Sequence, residues 1–413
     1  MTDRIVTLDA LRGFAVMGIL AMNIIAFSMP EWAYITPLAY GGETLGDRAA
    51  WILSFVLVDG KMRGLFSLLF GASMMLILTR ASAAGENALK VHYSRMAWLG
   101  IFGLGHYFLI WWGDILFVYA CVGSVAFLFR DWEPHRLIKW ALVIYSLGMV
   151  FWGLQFGGLQ VLQVLATAPG ASAALAGQYS DIINGPGFAT NVAGDLALHR
   201  GTWSEIVAMK WNDNLSPFGS VLQSVGETLP MMLLGMALQK NGFLQGAWAK
   251  ADYARWIKRL VPCGLLLSVL LCAWIVMSGY DVITALAVSM AWSAIPRLML
   301  TIGYAAVLIL ATGRLAGSAF IQRVAAAGQV AFSNYLGTSL VMTTVFYGYG
   351  LGLYGHVSRI ELWLVVVVAW TVMLLWSAPW LKRYRYGPLE WLWRSLARGK
   401  LQPFRRTQGS GQG

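Results

Sequence analysis

His106 and Asp114 stand eight residues apart in Gly103-Leu-Gly-His106-Tyr-Phe-Leu-Ile-Trp-Trp-Gly-Asp114, an otherwise apolar and aromatic stretch. A histidine beside a carboxylate is the minimal general-base arrangement, because the acid fixes the tautomer and the ring orientation. Two further groups of polar residues interrupt apolar sequence. Asp59-Gly-Lys-Met-Arg63 carries an acid and two cations, and Gly60 and Gly64 let the chain bend and present Lys61 and Arg63 to one ligand. Asp9 and Arg12 lie one helical turn apart, and Asn23 follows three turns further along that side. Plainer readings stand beside these: a packed, hydrogen-bonded histidine, cations that snorkel to an interface, and an ion pair that anchors a helix.

The elements that must hold these residues are membrane helices. The chain of 413 residues is 58 % apolar and 12 % charged, and it contains 20 Trp. A soluble surface of this size needs more charge, so the solvent for most of it is lipid. The apolar residues fall in separate runs near the ~20-residue length of a spanning helix. Backbone polar groups in hydrocarbon must pair within the segment, which selects helices. The expectation is an all-α, polytopic integral membrane bundle of about ten helices, near 11–29, 64–79, 96–112, 115–129, 137–159, 221–238, 260–278, 298–312, 329–347 and 360–380. The first run is long and lacks a small-x-small cleavage site, so it reads as a retained span.

The net charge of +11 has a membrane explanation and does not require nucleic acid. With both termini on the cytoplasmic side, those spans leave 23 of the 30 Lys and Arg inside and 7 outside. The whole chain, 1–413, reads as one membrane domain. Its longest polar stretch, 160–220, falls on the outer face. There Ala166–Gly177 reads as a loose segment, and Trp203, Ile206, Val207 and Lys210 recur at helical spacing as an interfacial helix, either a lid or a connector. The tail, 381–413, is cytoplasmic, and Gly387–Leu396 forms a second interfacial helix in which Glu390 and Arg394 can pair at i,i+4.

Irregularities mark where a site belongs. The second span is interrupted at Asp59, Lys61 and Arg63, and the eighth at Pro296 and Arg297; broken helices are tolerated where they are buried in protein or line a polar cavity. Of the five histidines, His106 alone falls inside a span. Asn334 with Ser333 and Tyr335 places polar groups in the ninth span. Cys121, Cys263 and Cys272 lie in apolar runs, and no His, Cys and carboxylate spacing suggests a metal site.

Four stretches resemble the YeiB-like membrane protein family, the bacterial domain of unknown function numbered 418. They are Leu8-Asp-Ala-Leu-Arg-Gly13 with Asn23, Gly105–Leu116, Gly328–Tyr335 and Arg385–Arg394. The family usually has an Arg near position 329, where this chain has Gln. The resemblance implies a multi-pass protein of the bacterial inner membrane. The first span also resembles a wider group of transmembrane acyltransferases, whose O-acetylating branch carries a catalytic His eleven residues after the Arg. Here that position is Asn23, so a base must come from elsewhere, and His106 is the intramembrane histidine available.

The leading expectation is therefore an acyltransferase that moves an acyl group from cytoplasmic acyl-CoA to an envelope glycan or a small-molecule acceptor. His106 is the base, with Asp114 or Asp59 orienting it. Asp9, Arg12, Asn23, Lys61, Arg63 and Asn334 form the substrate path, and Arg80 and Arg95 hold the CoA phosphates with no tightly bound cofactor. A transporter of a small solute or lipid-linked sugar is the rival, suited by the broken spans. A non-catalytic envelope scaffold is the third possibility.

Overall fold

The computed structural model describes residues 3–185, 191–315 and 317–406. It is helical almost throughout. The first half comprises α1 (Asp3–Ser28), a short α2 (Trp32–Ile35), α3 (Leu45–Leu57), α4 (Lys61–Ala83), α5 (Ala88–Leu109), α6 (Leu116–Ala126) and the long α7 (Pro134–Thr167). Three short helices follow: α8 (Ala173–Ile183), α9 (Val192–His199) and α10 (Trp203–Asn212). The second half comprises α11 (Ser216–Lys240), α12 (Lys250–Met277), α13 (Val282–Ala287), α14 (Ala294–Arg314), α15 (Ala319–Gln329), α16 (Ala331–Phe346), α17 (Arg359–Arg383) and α18 (Pro388–Arg398).

Among the described residues, seven helical segments are long and apolar enough to cross a membrane, with α3 and α4 counted together. The other three expected spans also fall on helices, but of a different kind. α6 with its 3-10 turn to Phe129 and α16 are short of a bilayer's thickness, and α5 begins with a charged turn. The long segments turn apolar side chains outward: Leu147, Phe151 and Leu154 on α7, Leu266 and Leu270 on α12, and Val368 on α17 are all exposed. A continuous outward apolar surface is what lipid covers, and the chain is a multi-pass membrane protein.

Lipid offers no hydrophobic drive between helices, so close backbone approach must hold them together. It is supplied at two crossings. Where α4 meets α11, a Cβ on Gly235 would lie 1.8 Å from the Leu68 carbonyl oxygen, and one on Gly71 2.0 Å from that of Met232. Where α1 meets α15, a Cβ on Gly328 would lie 1.8 Å from the Asp9 carbonyl oxygen, and one on Gly13 2.1 Å from that of Val324. Gly235→Ala is accordingly expected to lower stability by about 1–3 kcal/mol, because the obstacle is backbone and cannot rotate away. Gly177→Ala in α8, where a Cβ meets open space, is expected to leave the melting temperature in detergent unchanged or slightly raised. Equal melting temperatures for the two variants would contradict this packing.

The segment Ala166–Gly177 is more helical than expected. Ala166 lies in the last turn of α7, and Ser172 caps α8 by accepting from the Leu175 amide at 3.3 Å. Alanine is the strongest helix former and serine a favoured cap, and these two preferences outweigh the glycines. α10 forms where the spacing placed it, closed by a capping box between Thr202 and Glu205. It packs over the end of α5: the Trp203 indole donates to the Leu109 carbonyl at 2.8 Å, and Trp211 packs on Phe108.

Candidate functional site

The loop between α5 and α6 brings His106 and Asp114 together. His106 occupies the last turn of α5, and the chain then reverses through Ile110–Ile115. Asp114 Oδ2 accepts from the Phe117 amide at 2.7 Å, which pins the carboxylate at the start of α6. Its Oδ1 lies 2.8 Å from His106 Nδ1. Both side chains are buried, at 0 % and 2 % exposure. A carboxylate only accepts, so Nδ1 carries the proton and Nε2 is left as the basic nitrogen. Nε2 is buried without a hydrogen-bond partner among the described residues. The ring packs against Tyr335 at 5.4 Å and Trp111 at 6.1 Å, and Trp111 stacks on Phe27 at 3.9 Å. This places the dyad at the end of the bundle where α1 stops. Asn23 lines a small recess there with Tyr335, Thr338 and Ser339.

A second polar centre lies in the same half, around the break between α3 and α4. Gly60 adopts φ +70°, and a Cβ on it would lie 2.1 Å from Arg297 Nε. Glycine therefore meets two demands at once, a left-handed turn and room for the arginine. Arg297, from the first turn of α14, bonds Asp59 at 2.5 Å, and the Tyr34 hydroxyl donates to the other oxygen of the same carboxylate. Arg63 pairs with Glu227 of α11. These groups line a cavity of about 140 Å³ with Gln223, Ser289 and Tyr145. Its wall includes the π-helical turn Val288–Trp292, a distortion that recurs at functional sites.

This geometry corrects several expectations. Asp59 does not orient His106: its oxygens are taken by Arg297 and Tyr34, and it is Asp114 that bonds the ring. Lys61 and Arg63 do not converge on one ligand. Lys61 is buried and donates to the Phe55 carbonyl at 2.5 Å, whereas Arg63 faces the cavity, since two residues apart on a helix point in different directions. Asn334 is fully engaged in packing. Its amide donates to the Ala327 carbonyl at 3.0 Å, and its oxygen accepts from the Trp376 indole at 2.9 Å. Nor is His106 alone inside a helix: His92 is buried in α5, stacked on Phe127 at 4.6 Å.

At the opposite end of the bundle Asp9 and Arg12 pair at 2.6 Å, and Arg12 also donates to Ser73 at 2.9 Å. Arg80 and Arg95 line one cavity there with Arg394 and Arg398. Glu390 does not pair with Arg394. Its carboxylate accepts from the Phe332 and Ser333 amides at 2.7 and 3.0 Å and from the Ser333 hydroxyl at 2.5 Å, while Arg394 lies over the Tyr386 ring at 4.6 Å. An exposed i,i+4 pair is worth a few tenths of a kcal/mol, less than a carboxylate gains from the open amides of a helix start. Glu390→Ala is therefore expected to cost about 1–3 kcal/mol by stranding the first amides of α16. Faster proteolytic clipping of the tail beyond Arg383 would report it.

Glu227, Tyr34 and the pair formed by His199 and Asp195 escaped the reading of the sequence. Glu227 had a legible signal, an acid inside the apolar run 221–238. The i,i+4 spacing of Asp195 and His199 was another; His199 Nδ1 lies 2.6 Å from Asp195 Oδ1, and its ring stacks on Tyr354 at 4.5 Å. That pair fastens α9 to the glycine-rich turn after α16, where the Gly348 amide donates to the His199 carbonyl at 2.8 Å.

Comparison with known proteins adds a family. The family model described as "Protein of unknown function (DUF418)" matches residues 238–400. Protein YeiB of Escherichia coli (strain K12) is 32% identical over 95% of this chain and 96% of its own length. Protein YxaH of Bacillus subtilis (strain 168) is 32% identical over 97% of this chain and 96% of its own. A 39.9 kDa protein encoded in the amylase 3' region of Bacillus acidopullulyticus is 24% identical over 98% and 96% respectively. No solved structure matches.

Proposed function

The chain belongs to the YeiB-like DUF418 family, and from that premise we propose that it is a membrane acyltransferase in which His106 is the general base. The observation that carries this reading is the buried dyad: Asp114 holds the Nδ1 proton at 2.8 Å, and Nε2 has no hydrogen-bond partner among the described residues. Its role is to take the proton of an acceptor hydroxyl or amine as that atom attacks a thioester carbonyl. The carbon–sulfur bond breaks, and the thiol leaves with a proton. Tyr335, which packs on the His106 ring, also lines the recess that holds Asn23, and these two residues orient the acceptor; α10 covers this end of α5 against water.

The proposal includes about ten spans in the bacterial inner membrane with both termini in the cytoplasm. Seven helical segments among the described residues are long and apolar enough to span, α5, α6 and α16 are taken to complete the count, and the Lys and Arg bias of 23 against 7 favours that orientation. The dyad then lies toward the outer face. Acyl-CoA is the donor, with its phosphates at Arg80 and Arg95 on the inner side, and the acceptor is an envelope glycan or a small molecule. The test is acyl transfer by the purified protein in liposomes, with thermal stabilisation by acyl-CoA in parallel, for the wild type and His106→Ala. Absence of acyl-CoA binding across the common chain lengths would end the proposal.

One observation favours the transport reading. Two ion pairs, Arg297 with Asp59 nearly closed to solvent and Arg63 with Glu227 partly buried, line a polar cavity beside a break in each of two helices, and intramembrane charges mark solute pathways. Uptake of an unmodified solute that depends on Glu227 but not on His106 would establish it.

A further inference from the structure

A cavity of about 120 Å³ lies between the end of α4, the start of α5 and the tail helix α18. Four guanidinium groups line it, Arg80, Arg95, Arg394 and Arg398, against a single carboxylate, Glu86. Even that carboxylate is held loosely, 3.7 Å from Arg398. Among the described residues Arg80, Arg95 and Arg394 have no carboxylate within ion-pair distance. Arg95 faces Arg394 and Arg398 as like charges.

The arginines are not a chance meeting of loose side chains, because α18 is fixed to α5 by specific bonds. The Trp393 indole donates to the Arg95 carbonyl at 2.9 Å, and the Ser94 hydroxyl donates to the Ala397 carbonyl at 2.7 Å. The Arg95 guanidinium lies 4.0 Å over the Trp393 ring. Glu390 anchors the other end of α18 to α16. Four positive charges and one negative charge are thus brought around one space and held there. Such a cluster repels itself unless an anion enters.

We infer that this cavity is a binding site for a phosphate or pyrophosphate group. A phosphate offers three or more oxygens to several planar guanidinium forks at once and carries two charges against the net three of the lining groups, on which Asp9 and Glu390 act only from outside the cavity. A carboxylate offers two oxygens and one charge. The group can arrive on a soluble cytoplasmic ligand or as the headgroup of an anionic phospholipid, since basic pockets between helices on the cytoplasmic side suit both. The inference deepens the proposed reading, which puts the donor's phosphates at Arg80 and Arg95 of this same cavity on the cytoplasmic face. Its readout is binding, so failure of acyl transfer leaves it standing.

The full-length protein in detergent is titrated with inorganic pyrophosphate by calorimetry. In parallel its melting temperature is compared in nanodiscs of phosphatidylglycerol and of phosphatidylcholine. The comparison variant is R80Q/R394Q, at two exposed arginines without ion pairs. Saturable pyrophosphate binding, weakened at least about tenfold in the variant, supports a soluble phosphate ligand. Stabilisation by phosphatidylglycerol alone, lost in the variant, supports a lipid headgroup. The inference is overturned if neither source acts on the wild type, or if the variant, melting like the wild type without ligand, responds to the same extent.

Discussion

His106→Gln is expected to lower acyl transfer by about 10²–10⁴-fold, the usual contribution of a positioned general base, while leaving the protein folded. Glutamine has nearly the length of histidine, and its amide can still donate to Asp114, so the turn into α6 keeps its anchor. What it lacks is a basic atom at the place of Nε2. Asp114→Asn is expected to cut the rate by a similar order for a different reason. An asparagine can present its amide to Nδ1, which draws the histidine proton onto Nε2 and leaves the acceptor facing a donor. The two losses should not add in the double variant, because both remove the same proton acceptor. Rates are read from transfer of a labelled acyl group, and folding from the melting temperature. Transfer at the wild-type rate by either single variant would remove His106 from the mechanism.

The second large effect is on stability. Arg297→Gln is expected to destabilise the protein by about 3–5 kcal/mol, because it leaves the Asp59 carboxylate buried with Tyr34 as its remaining partner. The pair is nearly closed to solvent, at 9% and 16% exposure. Asp59→Asn in the same chain should restore a large part of the loss, since two neutral amides can bond one another across the gap. A double-mutant cycle measured by denaturation in mixed micelles therefore gives a coupling well above 1 kcal/mol. Arg63→Gln is expected to cost less, as Arg63 and Glu227 are more open, at 30% and 21%. If Arg297→Gln and Arg63→Gln destabilise equally and neither couples to its partner, the charges around the cavity are independent surface groups.

The break that carries Asp59 shows what was readable before the fold. The sequence Asp-Gly-Lys-Met-Arg inside an apolar run could only be a defect in a membrane helix, and a defect must be buried or line a cavity. Such a defect is visible without its partners, so the break is located by the sequence. The partners came from elsewhere: Arg297 from 238 residues on and Glu227 from 164 residues beyond Arg63. Lys61 and Arg63 looked equivalent, yet one bonds the carbonyl of its own preceding helix and the other an acid on α11.

The chain by itself determined the solvent it lives in, because composition and run length are sums over residues and do not depend on how helices are arranged. It also determined its helices, its caps and its glycine-marked break, since those follow from local bonding and backbone freedom. The dyad was half legible: spacing made contact between His106 and Asp114 possible, and a reversal of the chain within Ile110–Ile115 made it real. Only the tertiary structure decided which charges face which. In a medium that cannot solvate them, buried charges take whatever partner the helix packing brings within reach, and that packing is set by glycines on other faces of the same helices. Glu390 shows the result most plainly. The sequence offered it Arg394 one turn away, and the fold gave it the amides of another helix instead.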